Sequence, residues 1–262
     1  MASSPSSWTT LSASVVGRIG RLTLDQPDKL NPLGTRPLRE IAEAAQWFDT
    51  TEASVVIVTG TGRAFSSGFD LREFAGRAEG GGAAISAREQ ADLGRRMAEA
   101  MERMKALSIA AIKGPCVGGG VVLAGVCDLR IAADDTMFSI PEVDLGIPLA
   151  WGGIPRLVRE IPPAVVRELV LTCRPFDATE ARSLGFVNQV VARADLESTV
   201  DELAGRLAAK APSVVAATKR QVNEALENVA SSVGAWADAD LLGAAMNDPV
   251  ARDAARAYLA SR

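Results

Sequence analysis

Apolar residues along this chain fall into two alternating rhythms. Short β-branched runs, SVVIVTG (Ser54 to Gly60) and IAAIKG (Ile109 to Gly114), have the length and composition of buried strands. Elsewhere the spacing is helical. Leu38, Ile41, Ala45 and Phe48 fall on one face of a helix over Pro37 to Phe48, and Leu93, Met97, Ala100, Met101 and Met104 line another over Arg88 to Leu107. Ala13 to Val16 and Arg18 to Leu24 read as strands paired around Gly17, and TMFSI (Thr136 to Ile140) and FVNQVV (Phe186 to Val191) read as two more. From Ala164 onward the pattern is mainly helical; it includes a helix over Lys210 to Leu226, with Pro212 in its first turn. Strands alternating with helices predict an α/β fold with mostly parallel pairing.

Small and polar residues punctuate this pattern. The start, MASSPSSW, predicts a disordered tail over 1–10, followed by a core over 11–192 and a helical region over 193–262. GRAEGGGAA (Gly76 to Ala84) reads as a flexible loop, either a gate over a ligand pocket or a plain connection.

Composition removes whole classes of chemistry. The 262 residues include no histidine, which excludes Ser-His-Asp and Cys-His catalysis and any histidine-ligated metal. Three cysteines, Cys116, Cys127 and Cys173, lack C-x-x-C spacing and read as buried thiols in a reducing compartment. A net charge of −4 argues against a nucleic-acid partner. The N-terminus lacks a basic and apolar leader, and no apolar stretch reaches the ~18 residues that span a bilayer, so a soluble cytoplasmic protein without membrane contact is expected.

Three segments concentrate the candidate chemistry: AFSSGFDL (Ala64 to Leu71), GPCVGGGVVLAGVCD (Gly114 to Asp128) and IPEVDLGI (Ile140 to Ile147). After a strand, Ser66, Ser67 and Gly68 leave the backbone bare, so the Phe69 N–H is free to face a ligand. The triple glycine opens the apolar run VVLAGV, which suits a buried helix whose first N–H groups are unpaired. Two such donors on one carbonyl oxygen form an oxyanion hole, worth ~10²- to 10³-fold in rate per donor. Glu142 supplies an acid/base group. Gly60 and Gly62 begin a G-x-G-x-x-G pattern, but Phe65 stands at its third glycine, which rejects dinucleotide binding.

In order and combination these segments resemble the crotonase superfamily, the enoyl-CoA hydratase/isomerase family, from about Arg18 to the C-terminus. The resemblance implies a spiral of repeated β-β-α units with C-terminal helices that pack between subunits of a homotrimer or dimer of trimers. It implies an acyl-CoA substrate whose thioester carbonyl lies between the N–H groups of Phe69 and Gly119, with coenzyme A entering as part of the substrate and no other cofactor or metal. Lys29 and Leu30 of QPDKLNPL (Gln26 to Leu33), with Arg72, would lie along the coenzyme; Ser67, Gly68, Asp70, Leu71, Gly118, Val122 and Trp151 would surround the thioester and acyl group. Hydratases of the family use two glutamates. Here Val122 occupies the first position and Glu142 the second, an arrangement similar to the family's mitochondrial-type enoyl-CoA isomerases.

Mechanism gives the same preference. Shifting a β,γ double bond to α,β needs a proton removed from the α-carbon and one returned at the γ-carbon, which one carboxylate can do; hydration is easier with two, and losing one costs ~10²- to 10⁴-fold. A slow hydratase and a non-catalytic acyl-CoA-binding protein remain as alternatives. Asp144 is the nearest other carboxylate, with a structural role expected, and Asp70 is expected to cap a short helix. Val122 beside the acyl chain would dry the pocket and raise the pKa of Glu142.

Overall fold

The computed structural model describes residues 2–3, 8–73 and 87–261. Its strands are β1 (Ala2–Ser3), β2 (Leu11–Val16), β3 (Ile19–Leu24), β4 (Val55–Gly60), β5 (Leu107–Ile112), β6 (Pro115–Val117), β7 (Leu129–Ala133), β8 (Met137–Ser139), β9 (Phe176–Asp177) and β10 (Gln189–Val191). The helices that matter below are α1 (Thr35–Phe48), α2 (Ala87–Arg103), α3 (Gly119–Gly125), α4 (Gly153–Glu160), α5 (Pro163–Thr172), α6 (Ala178–Ser183), α7 (Leu196–Ala208), α8 (Pro212–Val229), α9 (Asp238–Asn247) and α10 (Pro249–Ala260).

The main sheet runs β1-β2-β3-β4-β5-β7-β10; its first two pairings are antiparallel and all those from β3 onward parallel. A small sheet, β6-β8-β9, stands beyond the carboxyl ends of the parallel strands, and an isolated bridge from Ser66 to Cys116 extends it. Each pass of the chain therefore gives one strand to the large sheet and a short extended piece to the small one: β4 then Ser66, β5 then β6, β7 then β8. This is the β-β-α spiral expected from the resemblance.

Parallel strands need cover on both faces, and the near-continuous burial along β4 meets that requirement. One face packs Val56, Val58 and Leu22 with Leu38, Ile41 and Phe48 of α1 and Met97 and Met101 of α2. On the other, Val55, Ile57, Ile109 and Ile131 meet Leu196, Val200 and Ala204 of α7. No helix among the described residues is long and apolar enough to cross a membrane.

Several sequence expectations need correction. Helix α1 starts at Thr35, ahead of Pro37, because the Glu73 carboxylate accepts hydrogen bonds from Thr35 N (3.1 Å) and Oγ1 (2.7 Å) and so caps it from outside. Helix α2 stops at Arg103 because Leu107 already pairs with Val55 in the sheet. Of Phe186 to Val191 only the last three residues are strand; Phe186 and Val187 are core side chains instead. Within the tail expected over 1–10, Ala2–Ser3 pairs with β2, and Thr9 and Thr10 donate to the buried carboxylate of Glu40; residues 1 and 4–7 lie outside the described residues. The boundary expected near Arg193 is not a packing boundary, since α7 covers a face of the sheet. Further on, Lys219 of α8 donates to Ala106 O and pairs with Asp128, both at 2.9 Å. The loop over Gly76 to Ala84 lies outside the described residues.

Candidate active site

Three turns converge beyond the carboxyl ends of β4, β5 and β7, where open parallel sheets habitually place their sites. Phe65 N donates to Lys113 O (2.8 Å), Val117 N to Ser66 O (3.0 Å) and Gly118 N to Ser139 O (2.8 Å), which locks the three segments side by side. Gly68 has a φ of 80°, and a side chain there would meet Val117 O at 2.4 Å and Gly119 N at 3.4 Å. The turn carrying Phe69 thus lies directly against the start of α3. Gly119 is the first residue of that helix, so its N–H has no intrahelical partner, and the Phe69 N–H donates to no main-chain carbonyl among the described residues.

Glu142 follows β8 in the turn from Pro141 to Gly146. Its carboxyl lies on the bare Cα of Gly118: a Cβ there would come within 2.3 Å of Oε1 and 3.3 Å of Oε2. The residue is only 8% exposed, and its Oε2 is buried without a hydrogen-bond partner among the described residues. Burial pushes its pKa up to about 7. Asp144, two residues on, is exposed and interacts with Cys173, so it faces away from Gly118.

Apolar groups complete the wall. The indole of Trp151 sits between two bare glycines, since a Cβ on Gly94 would meet it at 2.1 Å and one on Gly119 at 2.3 Å. Its ring centroid is 6.3 Å from that of Phe69, at an interplanar angle of 78°. Val122, one turn along α3 from Gly119, is buried, and its Cγ2 joins Leu149 around Gly153. On the opposite side, Leu71, Leu145 and Ile147 pack with Ala255 and Tyr258 of α10, and Ala251 O closes over Gly146.

The sequence-predicted residues come together only in part. Lys29 and Leu30 lie beside the first turn: Ser67 N donates to Leu30 O (2.8 Å), Ser67 Oγ to Lys29 O (3.4 Å) and Leu33 N to Gly68 O (2.7 Å). Asp70 Oδ1 accepts from Arg72 N at 3.0 Å, as an N-cap would, while the Arg72 side chain is exposed. Four organising residues escaped the sequence reading. Asn31, in left-handed backbone (φ 54°), donates to Thr61 O and Ala64 O and ties QPDKLNPL to the turn. Arg156 donates to Trp151 O and Gly152 O at 3.2 Å each and reaches Glu102 at 2.7 Å. Asp238, whose carboxyl is pushed up by burial, accepts from Gly152 N at 2.7 Å. Gly94 admits the indole; an isolated glycine in a helical pattern was its one available signal.

Comparison with known proteins gives a consistent result. The family described as Enoyl-CoA hydratase/isomerase matches residues 15–262. The "Probable enoyl-CoA hydratase echA8" of Mycobacterium bovis is 35% identical over 212 residues, 80% of each chain. The peroxisomal "Delta(3,5)-Delta(2,4)-dienoyl-CoA isomerase" of Arabidopsis thaliana is 32% identical over 87% of each. A solved enoyl-CoA hydratase/isomerase from Xanthobacter autotrophicus Py2 superposes with a TM-score of 0.83 at 28% identity, covering 97% of both chains.

Proposed function

The chain belongs to the enoyl-CoA hydratase/isomerase family, and within it we propose that it moves a β,γ double bond of an acyl-CoA thioester into conjugation, with Glu142 as the single proton shuttle. The thioester oxygen accepts from the N–H groups of Phe69 and Gly119. The Glu142 carboxylate takes a proton from the α-carbon, and the C–H electrons pass through the carbonyl to oxygen, giving a dienolate whose charge the two N–H groups hold. The protonated Glu142 then returns its proton to the γ-carbon; the carbonyl re-forms and the double bond comes to lie at α,β. No atom is gained or lost. Beyond the coenzyme A of the substrate, the proposed reaction needs no cofactor.

The observation that carries this reading is the buried, partly unpartnered carboxyl of Glu142, lying on Gly118 with a pKa near 7. A group that must act as base and then as acid works best when its pKa is close to the ambient pH. Val122, at the position of the hydratases' first glutamate, supports isomerisation over hydration because it cannot deliver a proton. A second reading, a hydratase slowed by the loss of that glutamate, is favoured by the relative named a hydratase at 35% identity. The apolar side chains of Val214 and Val222, exposed on α8 around a recess of about 520 Å³, suit the expected assembly of like subunits.

The deciding experiment supplies a β,γ-unsaturated acyl-CoA and follows the conjugated product, and in parallel supplies an α,β-enoyl-CoA and follows loss of conjugation. Fast isomerisation with hydration at least ~10²-fold slower supports the proposal. Hydration as the faster reaction transfers the assignment to the second reading, and tight acyl-CoA binding without either turnover makes the protein a binding module.

A further inference from the structure

We propose that Trp151 is a specificity-determining residue that walls off the acyl pocket beside the reacting carbons, so that this site accepts short acyl groups and rejects long ones. The inference rests on the acyl-CoA reading of the site and adds the class of acyl chain.

The turn at Trp151 is costly for the backbone. Trp151 has a φ of 63° and is followed by Gly152 at 67°; the left-handed region suits glycine and is rarely occupied by a bulky side chain. A turn of this shape could be made by glycine alone. Here the strained residue is instead the largest one available, and it is held from several sides. Arg156 donates to the carbonyls of both Trp151 and Gly152 while Glu102 fixes its other end, and Asp238, from the start of α9, accepts the Gly152 N–H.

The seat of the ring is equally specific. Gly94 stands within α2, where glycine weakens a helix, yet any Cβ there would enter the indole. Gly119 makes the facing contact, and Leu149 and Val122 fill the space around Gly153 beyond it. A carbonyl between the N–H groups of Phe69 and Gly119 therefore has Glu142 on its Gly118 flank and the indole on its Gly119 flank. Phe69 meets the indole edge to face, which fixes the ring from a further side. A chain leading away from the carbonyl on that flank is stopped by an aromatic face that packing on both sides prevents from swinging aside.

The test measures affinity for non-reacting saturated acyl-CoAs, from butyryl to palmitoyl, by titration calorimetry with the wild-type protein, Trp151→Gly and Trp151→Phe. Glycine suits the left-handed backbone, and phenylalanine keeps the core filled should the larger deletion fail to fold. Wild-type affinity should stop rising after the shortest members. Trp151→Gly should bind the long members at least ~10-fold more tightly than wild type, as expected from burying about two further methylenes, with Trp151→Phe between them. Chain-length profiles that coincide in all three proteins overturn the inference and leave the acyl-CoA reading standing. Failure of any acyl-CoA to bind the wild-type protein overturns both.

Discussion

Glu40 and Glu142 are buried to nearly the same degree, 5% and 8% exposed, and the protein treats them in opposite ways. Glu40, on α1, is surrounded by donors: Thr9 N (3.1 Å), Thr10 N (2.9 Å) and Thr10 Oγ1 (2.5 Å) all point at its carboxylate, with Arg36 at 3.7 Å. Glu142 has an oxygen with no partner among the described residues, and burial raises its pKa. Withdrawing a carboxylate from water is costly unless hydrogen bonds replace the lost hydration. At Glu40 they do, and the result is a clamp that fastens the start of the chain to α1. At Glu142 they do not, and the cost appears as a carboxyl that holds its proton near neutral pH. Two residues of one type at one depth thus become a strut and a reactive group because of their partners alone.

Exchanging chemistry at these two positions should separate their roles. The largest effect is expected from Glu142→Gln, which should lower kcat/KM for isomerisation by ~10²- to 10⁴-fold while leaving the fold intact, as read by circular dichroism. Gly118→Ala comes next, because a methyl group at a φ of 50° would collide with the Glu142 carboxyl; activity should fall by at least ~10-fold and stability by roughly 1–3 kcal/mol in denaturant titrations. Glu40→Ala should do the reverse of Glu142→Gln: a stability loss of about 1–3 kcal/mol with turnover per folded molecule unchanged. If instead it lowers kcat with no change in stability, the contrast between strut and reactive group fails.

Titration separates the catalytic and the structural consequences of Glu142. Glu142 must be ionised to act as base, so kcat/KM should rise with pH and level off above about 7, well above the ordinary carboxyl value of 4.5. For folding the sign is opposite. A raised pKa means that the native state favours the protonated form, so the stability it contributes is complete below about 4.5 and is lost as pH rises through about 7. Glu142→Gln should therefore gain on wild type in melting experiments as pH increases, by on the order of 3 kcal/mol at the alkaline limit.

The parts of the site legible in the sequence are those written in consecutive residues. A β-branched strand followed by small residues pointed to the Gly68 turn and three glycines before an apolar run to the start of α3, while Glu142 became a candidate only through its place after a strand together with the resemblance to the family. The supports of Trp151 could not be read in this way. Arg156 is five residues from Trp151 in sequence, but Asp238 is 86 residues from the Gly152 it holds, and Gly94 lies on another helix. Such contacts depend on how α2, α4 and α9 dock, which periodicity within each helix does not encode. The anchor of Thr9 and Thr10 is equally remote: it is Glu40, about 30 residues away, and no local pattern around the two threonines announces it.

The carboxyl seated on Gly118 also bears on how this protein can change over generations. Every missense change of a glycine codon adds a Cβ, so no alternative residue at position 118 spares the contact with Glu142, and selection can only hold that position still. Val122 is in a different situation, because a single base change converts any valine codon to that of aspartate or glutamate. The route from this site to two-carboxylate chemistry is thus one step long and passes through α3, while the floor under Glu142 stays fixed.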